Sequence, residues 1–218
     1  MFSKKYLPFN LFYLFIIVVN ILFMDWLTDY RVVAKPMIMA SLIGFYISTV
    51  RNQSPLFILA LIAALFGDIF LMFESEDFFL LGLGSFMAMQ ILYTLTFLPD
   101  RNTNIKENLP KIIGVLATAI VVLSFLWSTL GEMLVPVAIY TAAICMMVTS
   151  ALIRKNTLTW YLPVVFGVIL FLISDALIAF NKFGGSFAAA PYLIILTYMI
   201  AQYLIVRGVI ERSTYPTH

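Results

Sequence analysis

Histidine and cysteine are almost missing from this sequence: 218 residues hold one of each, His218 and Cys145. A lone cysteine inside an apolar run forms no internal disulfide and says nothing about redox compartment. A single histidine at position 218 removes a histidine-built zinc site and both the Ser-His-Asp and the Cys-His nucleophilic arrangements. There is no glycine-rich phosphate loop, and a net charge of +2 leaves no electrostatic footprint for nucleic acid. Charge of either sign is scarce at 11%, against 63% hydrophobic residues and a mean hydropathy of +1.03. A water-soluble domain of this length needs more polar residues to cover its surface.

What is present is apolar sequence in runs long enough to cross a bilayer. These runs predict an all-α polytopic membrane protein with eight transmembrane helices, over 7–24, 34–50, 55–73, 78–98, 111–127, 132–153, 158–180 and 188–210. The connections are too short to hold a soluble domain. The first run follows Lys4 and Lys5, as a signal peptide does, but it continues into "NILFMDWLTDY" with no small-residue cleavage pattern, so a retained anchor is expected.

The cations sort by side. Ten of the 13 lysines and arginines (Lys4, Lys5, Arg51, Arg101, Lys106, Lys111, Arg154, Lys155, Arg207 and Arg212) fall at one end of the predicted spans, and Arg31, Lys35 and Lys182 at the other. By the positive-inside rule both termini are then cytoplasmic, in an inner or equivalent cell membrane, which requires an even number of spans.

Two apolar stretches carry one aspartate each: "LFGDIFLMF" from Leu65 to Phe73 and "LISDALIAF" from Leu172 to Phe180. They occupy the third and seventh spans, the third of each four-span half. Residues 1–106 and 107–218 therefore read as parallel repeat halves of a single membrane domain. At about 1.5 Å per helical residue, Asp68 and Asp175 lie at nearly the same depth, about 9–10 Å below the outer end of their spans. An ionised aspartate near the middle of a span costs roughly 2.5–3.5 kcal/mol, so two of them are expected to face the bundle interior or a wet cavity. A buried ion pair with Lys35 is the plainer account, but one lysine leaves the second carboxylate unexplained.

Other polar groups converge on the same outer half. Lys35 opens the second span and Asn20 lies near the outer end of the first. Phe86, Gln90, Tyr93 and Phe97 form one helical face of the fourth span, Tyr140 follows Pro136 in the sixth, and Tyr198 and Gln202 share a face of the eighth. Taken singly, an intramembrane Gln or Tyr is ordinarily packing glue between helices, and Lys35 is ordinarily an interfacial anchor. Taken together they outline one polar site in the outer half, with Asp68 and Asp175 at its centre, Lys35, Gln90, Tyr93, Tyr140, Tyr198, Gln202 and Asn20 as candidate binding residues, and no metal or cofactor expected.

"KP" at Lys35–Pro36, "GDIFL" at Gly67–Leu71, "PVAIY" at Pro136–Tyr140, "SDALIAFNKF" at Ser174–Phe183 and "TYMIAQYLI" at Thr197–Ile205 resemble the YhhN family, in order and over nearly the whole chain. The resemblance implies eight spans and a lysoplasmalogenase activity. That activity hydrolyses the vinyl-ether bond of a lysophospholipid partner drawn from the bilayer, giving a fatty aldehyde and a glycerophospho-headgroup. It also implies that Asp68 and Asp175 are the motif aspartates and the catalytic pair, with the other polar residues of the site binding the substrate. Many members carry a histidine in an F-x-x-x-H-x-x-Y pattern in the fourth span, where this chain has Gln90 between Phe86 and Tyr93. Glutamine hydrogen-bonds but does not titrate. Either that histidine is not the proton carrier, or the substrate or activity of this chain is shifted. A proton-coupled transporter of a small molecule or lipid is the alternative from another class, and a catalytically silent lipid-binding protein is a third.

Overall fold

The computed structural model describes residues 4–25, 31–157 and 160–214. His218, residues 26–30 between the first two helices, residues 158–159 of the expected seventh span, and the side chains of Lys4, Asp25 and Arg31 lie outside the described residues. Among the described residues are eight α-helices: α1 Leu7–Asp25, α2 Arg31–Thr49, α3 Pro55–Phe70, α4 Glu76–Phe97, α5 Ile105–Leu126, α6 Leu134–Leu152, α7 Tyr161–Ala179 and α8 Ala190–Thr214. Seven of these helices are long and apolar enough to cross a membrane, so the chain is an integral, polytopic helical membrane protein. An all-helical build follows from the solvent, because every backbone N–H and C=O in the hydrocarbon layer must find its partner within the protein.

The exception is α3. Its 16 residues extend about 24 Å, less than the ~30 Å hydrocarbon layer. The expected span over 55–73 is therefore corrected to a helix ending at Phe70. Met72 and Phe73 donate to the Ile69 and Phe70 carbonyls at 3.1 and 3.2 Å, a tightened turn that ends the α-helical ladder. Ser75 then caps α4 by accepting the Phe78 N–H at 3.2 Å. Asp68 is thereby left in the last turn of α3 rather than a full turn and a half inside it.

The start of α5 also differs from the expected 111. Asn104 caps it by accepting the Lys106 N–H at 3.2 Å, so Pro110 lies in the second turn rather than before the helix. The ring removes only the bond that the carbonyl of exposed Lys106 would have received.

The two most extensive helix contacts are α3 with α4 and α7 with α8. Around them α1 packs on α2 and α5 on α6, α2 on α3 and α6 on α7, while α4 reaches α6 and α8 reaches α2. The α7–α8 contact is close because Gly167 has no side chain. A Cβ there would lie 2.9 Å from the Ala201 carbonyl oxygen and 3.0 Å from the Ile205 nitrogen, both backbone atoms.

One end of the bundle gathers the cations. Asp100 pairs with Arg212 at 3.1 Å, and fully buried Arg154 stacks its guanidinium 4.0 Å above the Trp160 ring while donating to the Ala151 and Tyr161 carbonyls. The Asn102 N–H donates to the Ile153 carbonyl at 2.7 Å, tying the α4–α5 and α6–α7 loops together. Lys35, Lys182 and the acidic 74–77 turn lie at the opposite end.

Because two of the three nearest atoms are backbone, a methyl-bearing residue at position 167 has no low-cost accommodation. Gly167→Val should destabilise the protein by about 1–3 kcal/mol, seen as a lower midpoint of thermal unfolding in detergent. An unchanged midpoint would show that α7 and α8 separate freely.

Candidate functional site

Asp68 is 2% exposed. It is placed by the last turn of α3, and its Oδ2 accepts the Tyr198 hydroxyl of α8 at 2.7 Å. The Lys35 ammonium of α2 attracts the same carboxylate. Asp175 on α7 has different partners: its Oδ2 accepts the Tyr140 hydroxyl of α6 at 2.5 Å and the Gln90 amide of α4 at 3.4 Å. Each carboxylate is thus held by a tyrosine from a different helix. Hydrogen bonds to charged acceptors are stronger than neutral ones, and low local dielectric strengthens them further.

Tyr198 is itself held by aromatic packing. Phe86 lies edge-on to Tyr198 and to Phe171, with ring centroids 5.9 and 6.1 Å apart. It can occupy that place because Gly67, the residue before Asp68, leaves it room: a Cβ on Gly67 would stand 2.8 Å from the Phe86 ring. The apolar and polar parts of "GDIFL" therefore have linked tasks. The glycine admits the ring that steadies the tyrosine that holds the aspartate.

Asp68 and Asp175 line one cavity of about 880 Å³ at the end of the bundle that carries few cations. Its rim includes exposed Glu74, Ser75 and Glu76, and its walls include Lys35, Tyr198 and Lys182. A second, almost wholly apolar pocket of about 180 Å³ lies between α4, α5, α6 and α7, and Tyr140 and Asp175 stand at its polar end. Asp175 borders both spaces.

Four of the residues expected at the site do not line either space. Tyr93 and Gln202 are fully buried and bond to each other, hydroxyl to Oε1 at 2.8 Å, while the Gln202 amide meets the Met89 sulfur at 3.3 Å. They fasten α4 to α8. Asn20 donates to the Ile16 and Ala34 carbonyls at 3.0 and 3.1 Å, which fastens α1 to the turn of α2 just before Lys35. Gln90 also lies behind the cavity wall, reaching it through Asp175 and Tyr140; its buried Oε1 has no hydrogen-bond partner among the described residues.

Lys182 and Glu74 were not among the expected binding residues, yet both line the cavity. Lys182 extends its ammonium over the Phe79 ring at 4.2 Å. The signal was available, since a lysine seven residues after a motif aspartate lies two helical turns beyond it on the same face. The π-helical turn Phe180–Gly184 that carries it was not foreseen.

The fold and site together define a polytopic helical membrane protein with a two-carboxylate cavity set within its bundle. Over residues 30–209 the chain matches the YhhN family, and it belongs to that family. No curated protein and no solved structure matches it.

Tyr93→Phe removes the hydroxyl that donates to the fully buried amide oxygen of Gln202. It should cost about 1–3 kcal/mol of stability, read as a lowered unfolding midpoint. No change in that midpoint would mean the pair does not hold α4 to α8.

Proposed function

We propose that this protein is a hydrolase of the lysoplasmalogenase type, cleaving the vinyl-ether bond of a single-chain ether lysophospholipid. The observation that carries the proposal is that Asp68 and Asp175, from separate helices, line one cavity. Family membership is consistent with it.

The reaction needs a proton on carbon and a water made nucleophilic. One aspartic acid delivers its proton to the alkene carbon beyond the ether-bearing carbon. The electron pair of the double bond forms the new C–H bond, and positive charge spreads over the adjacent carbon and the ether oxygen. The other aspartate, still ionised, stabilises that cation and takes a proton from the water that adds to it. The resulting hemiacetal breaks its C–O bond to the glycerol, giving aldehyde and alcohol, with the hydroxyl proton passing to the departing oxygen. Paired carboxylates serve glycosidic bonds through a similar cation, and two carboxyls sharing a site of low dielectric do not both ionise readily.

The cavity's mixed charge supports a zwitterionic headgroup. Lys35 and Lys182 suit a phosphate, and Glu74 and Glu76 suit the ammonium of ethanolamine or choline. Gln90, where many relatives have histidine, takes no proton in this scheme. It orients Asp175 by donating to it. The positive-inside rule puts the cavity mouth on the non-cytoplasmic face, and we read the matching packing of α1–α4 and α5–α8 as a parallel repeat that brings one carboxylate from each half.

The test is aldehyde release in detergent, where no proton gradient exists, from 1-alkenyl-lysophosphatidylethanolamine and from its saturated-ether analogue. Release is expected from the alkenyl lipid alone, with Asp68→Asn and Asp175→Asn each reducing it at least 100-fold while the unfolding midpoint persists. Near-full turnover in either folded variant would remove the paired-carboxylate mechanism. Gradient-driven uptake in vesicles without aldehyde release would replace the hydrolase with a transporter.

A further inference from the structure

Resting on the reading of this cavity as a lipid-hydrolase site, we propose that the apolar pocket between α4, α5, α6 and α7 receives the substrate's single hydrocarbon chain, and that the α4–α5 seam is where the chain enters sideways from the bilayer.

Continuity is the first support. The pocket and the polar cavity share Leu71, Phe79, Phe86, Asp175, Ile178 and Phe183 as common wall. An amphiphile with its headgroup among the lysines and acids of the cavity and its chain in the pocket would lay its head-to-chain junction beside Asp175. In an alkenyl lysolipid that junction is the vinyl ether.

The lining is the second. On α5 the residues facing the pocket are Val115, Thr118, Ala119, Val122, Leu123 and Leu126, at helical spacing on one side. Thr118 turns its hydroxyl to the Gly114 carbonyl at 2.9 Å, so it offers the pocket its methyl rather than an open donor. Polar groups occur at the Asp175–Tyr140 end, where the reacting bond would lie.

The seam itself is the third. α5 packs on α6 and on the Phe180–Gly184 turn but scarcely approaches α4. The corresponding seam of the other half, α1 against α8, is closed by polar bonds. Tyr13 donates to the Met199 carbonyl at 2.9 Å, Tyr203 donates to Asn10 at 2.6 Å, and the two tyrosine rings stack with centroids 5.3 Å apart. Only the seam beside Asp175 lacks such a clasp among these two. A chain arriving through it stays in apolar surroundings throughout, whereas entry from the aqueous mouth would expose each methylene to water.

A saturated-ether lysophosphatidylethanolamine with a diazirine at its chain end tests the proposal without any turnover. Photolysis with the intact protein, followed by peptide mass spectrometry, should place adducts on Val115, Ala119, Thr141 and Ile144, and unlabelled lysolipid should compete them away. Ala119→Trp should reduce this labelling at least tenfold in protein that still unfolds cooperatively, while Ile120→Trp, on the 67% exposed outer face, should leave it unchanged. Adducts confined to Ile113, Leu116 and Ile120, or undiminished pocket labelling in folded Ala119→Trp, would overturn the tail site. Pocket labelling without aldehyde release would leave the tail site standing and remove the hydrolase. Aldehyde release with labelling only on the outer face would do the reverse.

Discussion

A carboxylate inside a bilayer has no bulk water to solvate it, so the protein must bring its hydrogen-bond donors and cations to it, and much of this structure is arranged around that need. Tyr198 and Lys35 attend Asp68, and Tyr140 and Gln90 attend Asp175. The donors come from α4, α6 and α8 and the cation from α2, none from the helix that carries the carboxylate. Holding two acids therefore fixes how the even-numbered helices lie against α3 and α7. Two glycines make room in this packing: Gly67 admits the Phe86 ring that packs against Tyr198, and Gly167 lets the backbones of α7 and α8 approach closely.

The two ends of the bundle meet the interface differently. At the basic end the loops are stitched by the Asp100–Arg212 pair, the Arg154–Trp160 stack and backbone bonds between loops. Buried Arg154 there is balanced by carbonyls and an aromatic face. At the other end α3 stops short, and the chain turns through Leu71–Phe73 before Ser75 starts α4. That shortfall helps give the cavity its mouth and leaves Asp68 one helical turn from open space. A full-length third helix would have sealed the acid below a layer of side chains.

The polar residues of α4 and α8 divide into two tiers with different physics. Near the cavity, Tyr198 and Gln90 serve the aspartates. Deeper, Tyr93 and Gln202 serve each other, and in a medium with no competing water such a mutual bond is a fastener. The residues look alike in sequence, since all four are polar groups on a buried helical face. They differ in depth by about one turn, and at that depth the cavity has already closed.

Composition alone determined that this chain is a helical membrane protein, because apolar runs of that length have one stable solution in a bilayer. Charge scarcity made the two aspartates conspicuous, and their shared position in the third and seventh helices was legible from hydrophobic periodicity and counting. So was the stripe Phe86, Gln90, Tyr93, Phe97, every member of which is buried. The early end of α3 was not legible, because "GDIFLMF" is as apolar after Phe70 as before it, and only turn hydrogen bonds stop the helix. Nor was the fate of each polar side chain. Whether Asn20 or Gln202 meets a ligand or a neighbour depends on the rotation and separation of packed helices, which shift with the volume of residues far away in sequence. Helix formation in a membrane is a local consequence of solvent, whereas a cavity is what remains after all the helices have packed, so its walls belong to the tertiary structure alone.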